Sequence, residues 1–226
     1  MSYGASTDTG RRLVDRPGTF SRSLRDRRFE RFISLLDGHS EPRIVDLGGT
    51  LNFWRDRAAF GPIAEGEVTL VNLQDQSGGP ANVRWVKGDV TSLEGFSDME
   101  FDAAFSNSVI EHVGGFDRQR AMAEEVRRLA PLYSLQTPNY WFPLEPHFMV
   151  PGWQWLPVGA RIRIIQRVPL GHRRVKAPDP EEARRRVESI RLLTANELGS
   201  LFPDGILVPE RLGPFVKSWT VERVGR

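Results

Sequence analysis

Cysteine is absent from this 226-residue chain, and lysine is nearly so, confined to Lys87, Lys176 and Lys217. Without thiols there is no disulfide framework, no thiolate nucleophile and no thiolate metal site, a composition that fits a cytoplasmic setting. No run approaches the roughly 18 apolar residues of a membrane-spanning helix, and the first residues lack the apolar stretch of a secretory leader. Histidine is scarce too, with four copies.

The basic charge is therefore almost all arginine. Formal net charge is +2 while the pI is about 9.3. Few groups titrate between neutrality and pH 9, so a small arginine excess sets the pI and local clusters matter more than the overall field. They fall at residues 22–31, 161–174 and 184–191, each read first as a solvated helix face. With 39% hydrophobic residues the chain can bury one good core. The expectation is a polar, flexible segment over residues 1–20 followed by one domain over 21–226.

Periodicity supplies the elements. Leu24, Phe29, Phe32, Ile33 and Leu36 recur at helical spacing up to Gly38. Short apolar runs then alternate with helical ones: RIVDLG, VTLVNL (68–73), VRWVKGD and FDAAFSNS (101–108), the helical RQRAMAEEVRRLA, and LYSLQTP up to Pro138. This order predicts an α/β, doubly wound, mostly parallel sheet covered on both faces. Asp179-Pro180 and the capping box Thr194–Glu197 start two later helices. GILVPERLG and FVKSWTVERV close the chain as an antiparallel hairpin at one sheet edge.

Residues 139–178 break the alternation. They hold three of the six tryptophans and an arginine-rich amphipathic stretch with Ile162, Ile165 and Val168 on one side. A long aromatic insertion inside a compact domain is read as a lid or substrate platform. Its amphipathic piece could close over a pocket, grip phosphate or rest on a membrane surface.

In such a sheet, ligands bind beyond the carboxyl ends of the strands, near the switch in strand order. Those ends carry Asp46 to Gly49, Asn72, Gly88-Asp89, Ser106 to His112 and Thr137 to Asn139. The first turn is not a dinucleotide fingerprint, because Gly48 and Gly49 are adjacent and no further glycine follows in Thr50, Leu51, Asn52 and Phe53. A carboxylate at Asp46 would repel a diphosphate and suit a ligand carrying an ammonium group.

On VDLGG, VNL, KGDV and FDAAFSNSVIEHV, the chain resembles the class I S-adenosylmethionine-dependent methyltransferases of the type 11 branch, from about Arg43 to Asn139. The resemblance implies a Rossmann-like seven-stranded sheet with an antiparallel edge strand. It implies S-adenosylmethionine as cofactor, with Asp46, Gly48 and Gly49 on its amino-acid part, Asn72 on the ribose, Asp89 and Val90 on the adenine, and Asn107 near the sulfonium. Thr50 and Asn52 depart from the family's glycines. Asn72 departs from its usual carboxylate, a loss that Gln74 or Asp75 could cover.

A hydroxyl acceptor needs its proton removed by a base or its pKa lowered by a metal. His147, past the fifth strand, is the preferred base. Glu111-His112 resembles the metal-binding pair of ubiquinone-pathway and small-RNA 2′-O-methyltransferases, although Ser108 stands where those families carry a further glutamate. Glu145 to His147 could complete a magnesium or manganese site with Glu111, His112 and His147 as ligands. Tyr140, Trp141, Glu145 and Trp153 are the expected substrate contacts, and the lid segment resembles bacterial envelope and secondary-metabolism methyltransferases. A saccharide or glycolipid hydroxyl is the leading acceptor. The alternatives are an RNA acceptor held by the arginine clusters, and an inactive membrane-surface or partner-binding module. DNA is not expected as a partner, and the chain could act as a monomer or homodimer.

Overall fold

The computed structural model describes residues 20–171 and 175–225, so the expected flexible segment over 1–20 lies almost wholly outside the described residues, as does His172. Helix α1, Phe20–Leu35, buries Leu24, Phe29 and Phe32, with Leu36 just past its end. Then follow β1 (Arg43–Leu47), the one-turn α2 (Leu51–Trp54), β2 (Glu67–Asn72), β3 (Val83–Lys87), β4 (Ala103–Asn107), α3 (Phe116–Leu129) and β5 (Leu132–Pro138). The insertion contributes a two-stranded ribbon, β6 (Leu144–Glu145) and β7 (Val150–Pro151), and helix α4 (Val158–Arg167). Helices α5 (Pro180–Glu188) and α6 (Ala195–Leu201) lead into the hairpin β8 (Ile206–Leu212) and β9 (Phe215–Arg223). Asp179 and Thr194 cap α5 and α6 as the sequence predicts, Thr194 within a complete capping box.

The seven-stranded sheet has the order β3-β2-β1-β4-β5-β9-β8. Strands β1 to β5 are parallel, and β9 runs antiparallel between β5 and the edge strand β8. The expected mostly parallel Rossmann-like sheet and its closing hairpin are both present. Side chains alternate across the sheet, as the period of two requires. Ile44, Val68, Leu70, Ala103 and Phe105 pack beneath α1 and α2 with Phe32 and Trp54. Val45, Leu47, Val71, Ala104 and Leu135 pack on the other face with Met122, Val126 and Leu198. Burial on both faces explains why these strands read as continuous apolar runs.

Strand order reverses between β1 and β4, which pair in register at Asp46 and Phe105. Here the chain leaves β1 toward β2 on one side and approaches β4 on the other, which opens a crevice at the carboxyl ends. The insertion has its own small core of Phe148, Trp153, Ile165, Ala177, Ala183 and Val187. Helix α5 thus joins the lid beyond the expected limit of residue 178. Ile165 is fully buried there and Ile162 packs against the same cluster, while Val168 is exposed. The Ile162 and Ile165 side of α4 is thus used in packing on α5.

The lid is tied to the sheet edge through its exit. The Arg191 backbone N–H donates to the Glu111 carbonyl at 2.8 Å. Buried Gln119 of α3 donates to the carbonyls of Ile110 and Arg191, and Asn139 binds the backbone of β9 at Val216 and Lys217. Satisfied buried amides of this kind fix the loop after β4 and the lid as one frame.

Candidate functional site

The glycine turn after β1 is built around a carboxylate. Gly48 has φ +84°, and a Cβ there would collide with Val109. At Gly49 a Cβ would land on the Asp46 carboxylate, so both positions require glycine for a stated reason. Trp54 donates its indole N–H to Asp46 Oδ2 at 2.7 Å, while Oδ1 is buried without a partner. Burial pushes the Asp46 carboxyl up to about 7, against the opposing hydrogen bonds from Trp54 and the Gly49 backbone. Asp46 therefore lies sealed beneath the turn. The sequence reading had it facing a ligand; Trp54, eight residues on, draws it inward instead.

Asn72 is likewise committed to the turn. Its amide nitrogen donates to the carbonyls of Gly48 and Gly49, and its oxygen accepts from the Gln74 backbone. Gln76 accepts the Leu51 N–H at 2.6 Å and donates to Gly49. These amides supply the rigidity that further glycines would forfeit. Asp75 pairs with exposed Lys87 rather than covering for Asn72. Asp89 accepts from the Thr91 backbone and hydroxyl and from Arg118. Burial raises its pKa, but those bonds outweigh burial and hold it below the usual carboxylate range. Val90 is buried beside it.

At the end of β4, Asn107 Oδ1 accepts from Arg28 Nε at 3.2 Å, and the same guanidinium pairs with Glu210 of β8. Sequence reasoning missed this clasp by treating the arginines of α1 as solvated. The available signal was spacing: Arg28 stands four residues from both Leu24 and Phe32, on the inward stripe.

Beyond β4, the short turn Ile110–His112 meets the lid. His147 Nδ1 lies 2.6 Å from Glu145 Oε1, and its Nε2 lies 3.2 Å from His112 Nε2. The rings meet edge to face with centroids 4.7 Å apart. Glu145 is buried and also accepts the backbone N–H groups of His147 and Phe148, so its role is to orient His147. It also lines the cavity under the lid, where a substrate contact was expected of it. Burial lowers the His147 pKa, but the Glu145 hydrogen bond and the charges of Glu145 and Glu111 outweigh it, and the net shift is upward.

Glu111 is fully buried. Thr137 donates to its Oε2, while Oε1 has no partner. Burial raises its pKa, with the His147 charge opposing. One ligand atom from each of Glu111, His112 and His147 lies within 4.8 Å of the others, so the three residues singled out in the sequence do converge. A carboxylate with one orphaned buried oxygen and two imidazoles, one of them oriented by a second carboxylate, is a donor set that suits a divalent cation. Ser108 takes no part, because its hydroxyl turns to Gln136.

Of the expected aromatic contacts, Tyr140 and Trp153 line a cavity of about 340 Å³ under the lid. Trp153 is 1% exposed and packs on Phe148 at 4.6 Å, so it is lid core and cavity wall rather than an open stacking platform. Trp141 is 62% exposed and faces Trp155 outside the cavity.

Residues 63–132 match the family model described as "Methyltransferase domain". An uncharacterized protein of Mycobacterium tuberculosis, Rv1509, is 42% identical over 55 residues, which cover 24% of this chain and 19% of that protein. A crystal structure of a SAM-dependent methyltransferase from Aquifex aeolicus has the same fold, with TM-score 0.51, 14% identity and 95% of each chain covered. The N-terminal domain of EvdMO1, solved in the presence of SAH and D-fucose, aligns with TM-score 0.53 and 17% identity over 92% of this chain and 85% of that one. The resemblance to class I methyltransferases is borne out by the family model over residues 63–132, and the expected fold is shared over nearly the whole chain.

Proposed function

We propose that this chain is a class I S-adenosylmethionine-dependent methyltransferase that methylates a hydroxyl oxygen of a saccharide or glycolipid-type acceptor held between the sheet edge and the lid. The observation that carries the reading is the imidazole pair, in which His112 of the β4 exit and His147 of the lid face each other through their Nε2 atoms.

The glycine turn and Asn72 offer a close-approach crevice wall, and Asn107 with Asp89 and Val90 extends it along successive strand ends. These residues fit the amino-acid, sulfonium and adenine parts of S-adenosylmethionine, with Asp46 acting from beneath. When bound, that cofactor supplies a methyl carbon on a cationic sulfur, open to in-line displacement by an acceptor oxygen. The chain's own task is to hold the acceptor and receive its proton. Glu145 accepts the His147 Nδ1 proton and leaves Nε2, shared across the pair, to take the hydroxyl proton as oxygen bonds to carbon. If the carbon–sulfur bonding pair returned to sulfur as that bond formed, the sulfonium charge would be exchanged for the proton held on His147. The saccharide class draws support from EvdMO1, whose structure was determined with D-fucose. Arg28 turns inward from the clusters that an RNA acceptor would need, as do the cavity-lining Arg161 and Arg191.

The unpartnered Glu111 oxygen favours a second reading of the same residues, as ligands for magnesium or manganese together with His112 and His147. A cation held there would lower the pKa of the acceptor hydroxyl.

The test is transfer of labelled methyl to a panel of oligosaccharides, glycolipids and RNA, before and after exhaustive EDTA treatment. Methylation of a saccharide hydroxyl is expected, and transfer confined to RNA or to non-hydroxyl acceptors overturns the reading. Full activity after EDTA removes the metal. His147→Ala should lower kcat by about 10²-fold or more with cofactor affinity nearly unchanged, and unchanged kcat removes the base.

A further inference from the structure

The cavity beneath the lid holds one cation that no carboxylate grips, although its lining charges are equal in number. Four charged side chains line it: Glu145, Arg161, Arg191 and Glu197. Glu145 is taken up by His147 and the Phe148 backbone. Arg191 and Glu197 pair with each other, Arg191 also donating to Gln119 and Glu197 accepting from Thr194. Arg161 has no carboxylate partner among the described residues. Glu145 and Glu188, whose charges also reach it, accept hydrogen bonds from His147 and Arg184 instead. Its Nε is sealed from solvent and donates to nothing.

Two more atoms in the same wall are stranded. Trp153 Nε1 is a buried donor without an acceptor. Gln154 is 8% exposed; its nitrogen holds the carbonyls of Tyr140 and Phe142, while its oxygen is buried without a donor. Buried polar atoms are almost always satisfied, and these three, each covered from solvent, belong to residues that line one cavity, where a small turn of the side chain would present them to a ligand. The volume, about 340 Å³, falls in the roughly 300–1,000 Å³ range of small-molecule sites. Two donors, one of them cationic, call for an anion, and the lone acceptor calls for a hydroxyl.

We infer that the cavity takes the anionic group of a hydroxylated acceptor, a carboxylate or phosphate carried on a sugar. Arg161 and Trp153 donate to the anion and Gln154 accepts from a neighbouring hydroxyl. The inference rests on the saccharide-methylation reading above and adds charge to its substrate class. Glu145 belongs both to the cavity wall and to the His147 hydrogen bond, so an acceptor anchored at Arg161 lies beside the imidazole pair.

Calorimetry on the full chain separates this from the parent reading, using methyl β-glucuronide, glucose 6-phosphate and methyl β-glucoside as probes and S-adenosylhomocysteine in parallel. At least one anionic probe should bind about tenfold tighter than the neutral glucoside, as a charge-assisted contact requires. The preferred probe identifies carboxylate or phosphate. Arg161→Met should erase the preference and Arg161→Lys should keep part of it, with S-adenosylhomocysteine affinity and melting temperature unchanged; Trp153→Phe should weaken the anionic probe severalfold with S-adenosylhomocysteine affinity unchanged, although loss of lid-core volume lowers its melting temperature. Equal binding of charged and neutral probes, binding of neither anion, or an Arg161→Met protein that still prefers the anion overturns the inference. Anion preference without S-adenosylhomocysteine binding would keep the cavity and sink the methyl-transfer reading. The converse would sink only the anion.

Discussion

His112 and His147, 35 residues apart in sequence, bring their Nε2 atoms to 3.2 Å. One comes from the turn after β4 and the other from the lid, so the pair exists only while lid and sheet edge are in contact. Two facing imidazole nitrogens at that distance share one proton or one cation.

A first expectation concerns pH. His147 must be neutral to accept a proton, and its pKa is raised, chiefly by Glu145 once burial is overcome. Activity of EDTA-treated enzyme should therefore rise with pH through that raised value. Glu145→Gln removes the negative partner, so the acid limb of the kcat profile should move to lower pH as kcat falls about tenfold or more. For stability the sign is opposite. The contribution of the raised histidine is complete below its unfolded value near 6.5 and fades as pH climbs through the folded one. An acid limb that stays in place would separate His147 from the rate.

Asp46 gives a stability test. Its folded carboxyl titrates near 7 instead of 3.8. Between those values the unfolded chain has released a proton that the folded chain keeps, so stability should fall as pH rises, by up to about 4 kcal/mol, and then level off. Asp46→Asn lacks this slope and should gain on the native chain between pH 4 and 7 in urea denaturation. Parallel profiles for the two proteins would count against a sealed carboxyl.

The Arg28–Glu210 clasp predicts strong coupling. Arg28→Met leaves the nearly buried Glu210 with only Lys217 at 3.5 Å and the Ser218 hydroxyl at 2.9 Å. Loss of one partner of a buried pair costs about 3–5 kcal/mol, and these neighbours put the expectation near 3. The double variant Arg28→Met/Glu210→Gln should recover much of that. A cycle with additive single effects would remove the clasp from the stability of the site.

The sheet was readable because each central strand is buried on both faces and so writes a short apolar run between polar ends. LYSLQTP coincides with β5 residue for residue. Glu111, His112 and His147 were readable as a group because their chemistry is specific. Direction was not. Periodicity reports which residues are buried, not which way a polar tip turns, and here Asp46 turns inward on Trp54 while Asn72 turns onto the Gly48 and Gly49 carbonyls. Trp153 looked like an open platform because an aromatic residue in a loop carries no sign of the second core beneath it. Arg161 was one arginine in a cluster until the cavity gave it a wall.

Arg28 reaches Glu210 and Arg31 reaches Glu222, spans of 182 and 191 residues. A chain emerging from the ribosome makes all five parallel strands before either acid exists, so its crevice is framed but unfastened until the last hairpin docks. Contacts this distant are formed late. Competence for the small-molecule donor should consequently appear abruptly once residue 223 is free to pair, and nascent chains halted after residue 200 should hold a sheet yet retain no S-adenosylhomocysteine.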